Sequence, residues 1–425
     1  VRIAIVSTYS PRPCGIAVFS SDLRSALLET SSAVDVGIAS IVRHTNGDQP
    51  PEVVTTIRQD VMTDYAAAAA DLSSWADVVL IEHEFGIFGG DAGEFVLTLA
   101  RGLTVPLVVT LHTVLSEPSI EQASVLRELC QQAAMVTVFT ETARRMVIEG
   151  GLVTSAQVKV VPHGAPDLLT AAQRWGAEGG STPGSRAVGI TDQTRTLMDR
   201  LEGRTVLATF GLISPSKGLE LAIEAMPSIV ALRPNACYLI AGQTHPEVVQ
   251  QEGERYRDRL ERLVRDLELT DHVFFLNRFL GVAELAVLLA RTDLYLTPYP
   301  SREQIVSGAL TFAVAAGCPV VSTPYLYAED LLGTGAGLLV PFGDSSALAA
   351  AASELLASPA RLAAARAEAR RIGTGLSWRS IGEATVHVLA GAAGARNEMG
   401  RPRAARLSRP GHGSGPSLSL SGRCR

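Results

Sequence analysis

Two rhythms of apolar and polar positions alternate along this chain. Short apolar runs at residues 3–7, 78–82, 107–111, 135–139 and 158–161 are strand-like. Between them, at 19–29, 94–101, 120–132 and 140–149, apolar residues recur with helical spacing. This alternation predicts a parallel sheet covered by helices.

The pattern breaks over residues 164–204, where the run Gly-Gly-Ser-Thr-Pro-Gly at 179–184 is the densest cluster of breakers. It resumes near Arg204, with strands predicted at 206–210, 237–241, 273–275, 294–297, 319–322 and 337–340. Helices are predicted at 219–232, 252–267, 282–290, 307–316, 328–332 and 346–368. The expected fold class is therefore α/β, with two doubly wound domains at 1–190 and 200–375. A further helix at 376–393 is expected to pack back on the first domain. Residues 394–425 hold little but Arg, Gly, Pro and Ser, so they are expected to be a disordered basic tail.

Composition narrows the class. At 425 residues, two cores are the default expectation, and 47% apolar with 19% charged residues suits a globular protein in water. The first residues, Val1-Arg-Ile-Ala-Ile-Val, read as a strand and not as a leader. No apolar run reaches the ~18 residues of a membrane span. The five cysteines, Cys14, Cys130, Cys237, Cys318 and Cys424, are scattered and lack metal-ligand spacing, so no metal is expected and the cytoplasm is the expected compartment. The tail carries seven arginines and one glutamate, +6 of a net −6, which leaves −12 on residues 1–393. An acidic body excludes general nucleic-acid binding, and a phosphate ligand would need local donors. No oligomeric state is read from the sequence.

In doubly wound sheets, ligands bind where strands end and helix amino termini begin. The residues with chemistry fall at those places. Lys217 is one of only two lysines against 35 arginines, and it lies in the loop Gly211-Leu-Ile-Ser-Pro-Ser-Lys-Gly218. The loop lacks the Walker A spacing and a hydroxyl after the lysine, but an ammonium there suits a diphosphate. Gly15, after Arg12 in the first strand-to-helix loop, would let a ligand approach the backbone. His83 and Glu84 are placed to hydrogen-bond sugar hydroxyls, with Phe85 or Phe88 as a flat surface for a sugar ring. His112 ends a strand at the expected cleft. His163, between Pro162 and Gly164, reads as a turn. Glu303, Gln304, Ser307 and Gly308 surround the start of a small-residue helix, where backbone and side-chain donors suit a nucleotide sugar.

Taken together, Gly211–Gly218, Ala315-Ala-Gly-Cys-Pro-Val-Val321 and the Pro11–Gly15 loop resemble family 4 of the retaining glycosyltransferases. The resemblance implies the GT-B fold, two Rossmann-like domains facing a central cleft. It implies transfer of a hexosyl group from a nucleotide diphosphate sugar to a hydroxyl acceptor with retention, and needs no cofactor or metal. His112 matches the family histidine at the donor sugar and Lys217 the diphosphate lysine. Gly15, Gly211, Arg278, Glu303, Gln304, Ser307 and Gly308 are assigned to the donor, and Arg12, His83 and Glu84 to the unknown acceptor.

Two departures stand out. Leu212 replaces the family arginine after the loop's first glycine, which makes Arg278, then Arg302, the candidates for a second cation. Gln304 and Phe312 stand where the family has paired glutamates; shifting by one residue gives Glu303 with Thr311. These departures keep open a non-catalytic nucleotide-sugar-binding or partner-binding protein on the same fold, or a GT-B epimerase or phosphorylase.

Overall fold

The computed structural model describes residues 1–12, 14–43, 49–171 and 190–399. The glycine-rich run at 179–184 and the tail from 400 onward lie outside the described residues.

The first sheet has seven parallel strands: β1 (Arg2–Ser7), β2 (Asp35–Val42), β3 (Val53–Arg58), β4 (Val78–His83), β5 (Leu107–Leu111), β6 (Met135–Val138) and β7 (Val158–Val160), in the order β3-β2-β1-β4-β5-β6-β7. The second has six: β8 (Thr205–Phe210), β9 (Ala236–Ala241), β10 (Val273–Leu276), β11 (Leu294–Thr297), β12 (Val320–Ser322) and β13 (Gly337–Leu339), in the order β10-β9-β8-β11-β12-β13. Every pairing in both sheets is parallel. Central strands are buried on both faces, which is why β4 up to Ile81, β5 and β9 read as nearly continuous apolar runs.

Strand order reverses at β1/β4 in the first domain and at β8/β11 in the second, and a crevice opens at each reversal. The loops leaving β1 and β4 carry Arg12, Gly15 and Glu84. Those leaving β8 and β11 carry Lys217 and residues 303–308. Topology thus gathers the sequence-predicted residues at two facing switch points.

The sequence reading missed β2, β3 and the helix Met62–Trp75. Val53-Val-Thr-Thr-Ile-Arg58 mixes apolar and hydroxyl residues, because β3 is an edge strand with one face partly in solvent. The helix expected at 252–267 is Arg255–Asp266, preceded by a short helix that was not expected, and the helix expected at 346–368 is broken in two. Gly253 at φ +64 separates Pro246–Glu252 from Arg255–Asp266. Ser358 and Pro359 end one helix at Ala357 and start another, with Ser358 capping the Arg361 amide.

The last helix, Trp378–Met399, runs past the expected end at 393 and lies along the helix Gly15–Thr30 of the first domain. Gly382 permits that contact, since a Cβ there would stand 2.6 Å from the Thr30 hydroxyl. Gly164 likewise accepts the Trp378 indole, which would lie 2.3 Å from a Cβ.

The two domains also touch across the cleft. Ile305 and Leu326 of the second domain are buried in the apolar core of the first. The Glu303 carboxylate accepts from the Ser116 amide at 3.0 Å, and Asp330 accepts from the Thr142 amide and hydroxyl at 3.0 and 2.7 Å. Arg43 and Glu247 pair at 3.6 Å.

Candidate functional site

At the exit of β8 the chain turns through Gly211 at φ +118 and returns through Gly218 at φ +58, and both conformations favour glycine. Gly218 also packs against β11's exit, where a Cβ would lie 2.2 Å from the Pro298 carbonyl. Between them Lys217 folds back over the strand end. A Cβ on Gly211 would lie 3.3 Å from its Nζ and 4.0 Å from the Ala309 Cβ. The ammonium donates to the Tyr299 hydroxyl at 3.0 Å and stands 4.9 Å from that ring's centre. Tyr299 is itself fixed by stacking on Tyr325 at 4.9 Å. Among the described residues no carboxylate pairs with Lys217, so its charge is available to a ligand. The chain's other lysine, Lys159, is exposed on edge strand β7.

Ala309 lies in the first turn of the helix Gly308–Ala315. Ser307 caps it, taking the Leu310 amide on its side chain and the Thr311 amide on its carbonyl. The amides of Gly308 and Ala309 are the donors left at this positive helix end. Lys217 and two helix amides therefore converge on one spot suited to a diphosphate.

In the first domain His112 leaves β5 with its Nε2 2.8 Å from an oxygen of Glu82, whose other oxygen accepts from Thr110 at 3.3 Å. The ring centres of Phe19 and Phe139 stand 4.9 and 5.0 Å from that of His112, both in edge-to-face packing. Aromatic contacts continue to the second domain: Phe19 to His163 at 5.0 Å, His163 to Phe312 at 6.1 Å and Phe312 to Phe210 at 6.2 Å. Phe210 adjoins Gly211. His112 and Lys217 are thus joined by one wall of rings that spans the cleft.

His163 belongs to that wall and is more than a turn residue. Its Nδ1 lies 2.7 Å from the Gly164 carbonyl, and a Cβ on Gly308 would touch its Nε2 at 3.4 Å. Burial drives its pKa down to about 4, so the imidazole is neutral.

Gly15 opens the helix Gly15–Thr30 behind the Cys14 cap, and a Cβ there would meet nothing within 4 Å. The fold itself does not demand this glycine. Arg12 is half-buried and donates to Gln59 at 3.2 Å.

Several expectations are corrected. Arg278 is no free cation: it is bound to Glu284 and to the hydroxyls of Thr191 and Thr194 at 2.8 and 2.7 Å, locking the helix Asp192–Arg200 against Val282–Ala290. Desolvation pushes the Glu284 pKa upward, but hydrogen bonds from the Thr191 amide, Arg278 and the two hydroxyls bring it down to about 2. Arg302 is exposed and pairs with Glu329. Glu303 points to the first domain through Ser116, and the Gln304 amide closes its own loop onto the Val306 carbonyl at 3.0 Å.

His83 is fully buried with neither ring nitrogen hydrogen-bonded, stacked on Phe88 at 5.7 Å and edge-on to Phe85 at 5.0 Å. It meets no solvent, and these two phenylalanines are core residues and not sugar platforms. Burial, then the neighbouring His112, lowers its pKa to about 3. Glu84 is half-buried and accepts from the Thr113 hydroxyl, bracing the loop after His112.

Glu82 escaped the sequence reading, although a carboxylate inside a strand buried on both faces signals a required partner. Tyr299 and Phe19 gave no sequence signal, because their roles depend on packing.

Residues 198–372 match the family described as glycosyl transferases group 1. A GDP-mannose-dependent monoacylated alpha-(1-6)-phosphatidylinositol monomannoside mannosyltransferase of Corynebacterium glutamicum is 29% identical over 202 residues, 46% of this chain and 50% of that one. A phosphatidyl-myo-inositol mannosyltransferase of Mycolicibacterium smegmatis is 28% identical over 249 residues, 55% and 59% of the two chains. The chain spans about half the length of the curated relatives it matches. Among solved structures, Anabaena HepE in complex with UDP superimposes with a TM-score of 0.69 at 18% identity, covering 92% of this chain and all of that one. Sucrose-phosphate synthase from Thermosynechococcus elongatus gives 0.69 at 19% identity over 93% and 99%. These likenesses show the fold: two Rossmann-like domains in the GT-B arrangement.

Proposed function

We propose, from the match of residues 198–372 to the group 1 glycosyltransferases, that this chain moves a hexosyl group from a nucleotide diphosphate sugar to a hydroxyl acceptor with retention of configuration. The observation that carries this reading is the convergence of the unpaired Lys217 ammonium and the Gly308 and Ala309 amides at the β8/β11 switch point.

As the glycosidic bond breaks, negative charge grows on the departing diphosphate. Lys217 and the helix amides stand where that charge would be neutralised, without a metal. The acceptor hydroxyl would attack from the face the diphosphate leaves, through an oxocarbenium-like state, so no protein nucleophile is required. His112, on the opposite wall, would orient the sugar being transferred. Among the described residues, Leu212 and the paired Arg278 leave Lys217 as the side-chain cation at this helix end, so the helix end carries more of the task than in a two-cation site. A nucleotide-sugar donor fits a cytoplasmic reaction. Among the described residues no helix is long and apolar enough to cross a membrane.

Two curated relatives are named for GDP-mannose and the solved neighbours include a UDP complex, so these two nucleotides are the first donors to test. Thermal shift against GDP, UDP and their sugars identifies the donor, because a ligand of the native state raises apparent stability. Release of nucleoside diphosphate, abolished in Lys217→Ala, then tests transfer. Saturable binding without transfer or donor hydrolysis across a broad acceptor panel would instead support the non-catalytic reading, which the neutralised Arg278 favours.

A further inference from the structure

We propose that Glu82 is a positioning residue that holds His112 in the Nε2–H tautomer, so that Nδ1 is the nitrogen presented to substrate. Its use in sugar transfer rests on the function proposed above; the tautomer itself does not.

The geometry begins with a carboxylate in a strand interior. Glu82 has no solvent exposure, and among the described residues its hydrogen-bond partners include no arginine or lysine. One oxygen lies 2.8 Å from His112 Nε2. The other accepts from the Thr110 hydroxyl, and Thr110 in turn accepts from the Thr137 hydroxyl at 3.0 Å. The donors run in one direction, Thr137 to Thr110 to Glu82 Oε1, and a carboxylate whose second oxygen faces a ring nitrogen can only accept from it. His112 Nε2 must then carry its proton, and the imidazole's lone pair moves to Nδ1.

Phe19 and Phe139, edge-on to the ring, prevent His112 from turning over. A carboxylate in this buried position would be costly without its partners, so it is retained for what it does to the histidine. The other histidines near this ring, His83 and His163, are both kept neutral by burial and do not compete for the carboxylate's proton partner. Nδ1 is then the ring's hydrogen-bond acceptor, the nitrogen left for a hydroxyl of the sugar in the reaction proposed above. A protonated or flipped ring would instead offer a donor and turn that hydroxyl.

The test uses nitrogen-15 side-chain NMR of the full chain, with the His112 signals assigned by their loss in His112→Ala. Wild type is expected to show His112 as the Nε2–H tautomer alone near pH 7.5. In Glu82→Leu the signal should become a tautomer mixture. Glu82→Gln, which keeps the shape but can donate as well as accept, should give an intermediate mixture and decides the matter if the leucine variant does not fold. In transfer assays both variants should lose about 10- to 100-fold in kcat, as for loss of an orienting partner, with nucleoside diphosphate affinity within about threefold of wild type. An unchanged single tautomer in the variants overturns the proposal. So does unchanged kcat in a variant whose tautomer has shifted. If wild type transfers no sugar, the proposed function fails, while the NMR result still decides what Glu82 does.

Discussion

Lys217 lies so close over Gly211 that its ammonium would be 3.3 Å from the first carbon of any side chain placed there. The strand end and the cation therefore share one small volume. Gly211→Ala should strain a backbone at φ +118 and push the ammonium aside. Lys217→Ala should lower kcat by roughly 10²–10³-fold, the loss typical of one preorganised charge donor. Its melting temperature should change little, because the side chain is half-exposed and has one hydroxyl partner. Steady-state kinetics alongside calorimetry check both.

Glu303 and Asp330 tie the domains together by accepting from amides of the opposite side. Asp330 in effect caps the helix Glu141–Glu149 from across the cleft, a contact worth about 1 kcal/mol. Glu303→Ala combined with Asp330→Ala should open the domains, seen as a larger radius of gyration in solution scattering. Isolated nucleoside diphosphate should still bind with affinity near wild type. A large loss of nucleotide affinity with no change in size would return Glu303 to the donor site.

Acid should destabilise the first domain. His83 and His163 have folded pKa values near 3 and 4 against an ordinary 6.5, so the unfolded chain binds protons first. Their contribution is complete above pH 6.5 and is lost as pH falls from there toward 4 and then 3. Each histidine accounts for about 1.4 kcal/mol per pH unit in that window. Urea unfolding at pH 7 and pH 5 should reveal the drop, and His83→Phe should remove about half of it.

Trp378 wedges between Gly164, Phe19 and His163 at the start of the returning helix. Trp378→Ala should cost about 3–5 kcal/mol and raise hydrogen exchange along Trp378–Met399. Because Phe19 also faces His112, turnover should fall as well.

Much of this protein was legible in one dimension. Strand and helix rhythms are local, so apolar spacing showed the central strands of both sheets, and Gly211, Lys217, Ser307 and Gly308 announced themselves by residue type at strand ends. The edge strand β3, the short helix Pro246–Glu252 and the helix break at Ser358 were missed where local signals are weak or competing. The partners of charged side chains were not legible at all. Nothing near Arg278 in sequence shows that the hydroxyls of Thr191 and Thr194, more than eighty residues away, would bind it with Glu284. Nothing in Ile81-Glu-His-Glu84 shows which of the three ionisable residues would reach His112. A strand's register sends Glu82 to His112 and His83 among phenylalanines, and register is fixed by burial across neighbouring strands. Sequence determined which residues stand at the ends of the strands; tertiary packing decided which of their charges are spent on the fold and which, like Lys217, remain for a ligand.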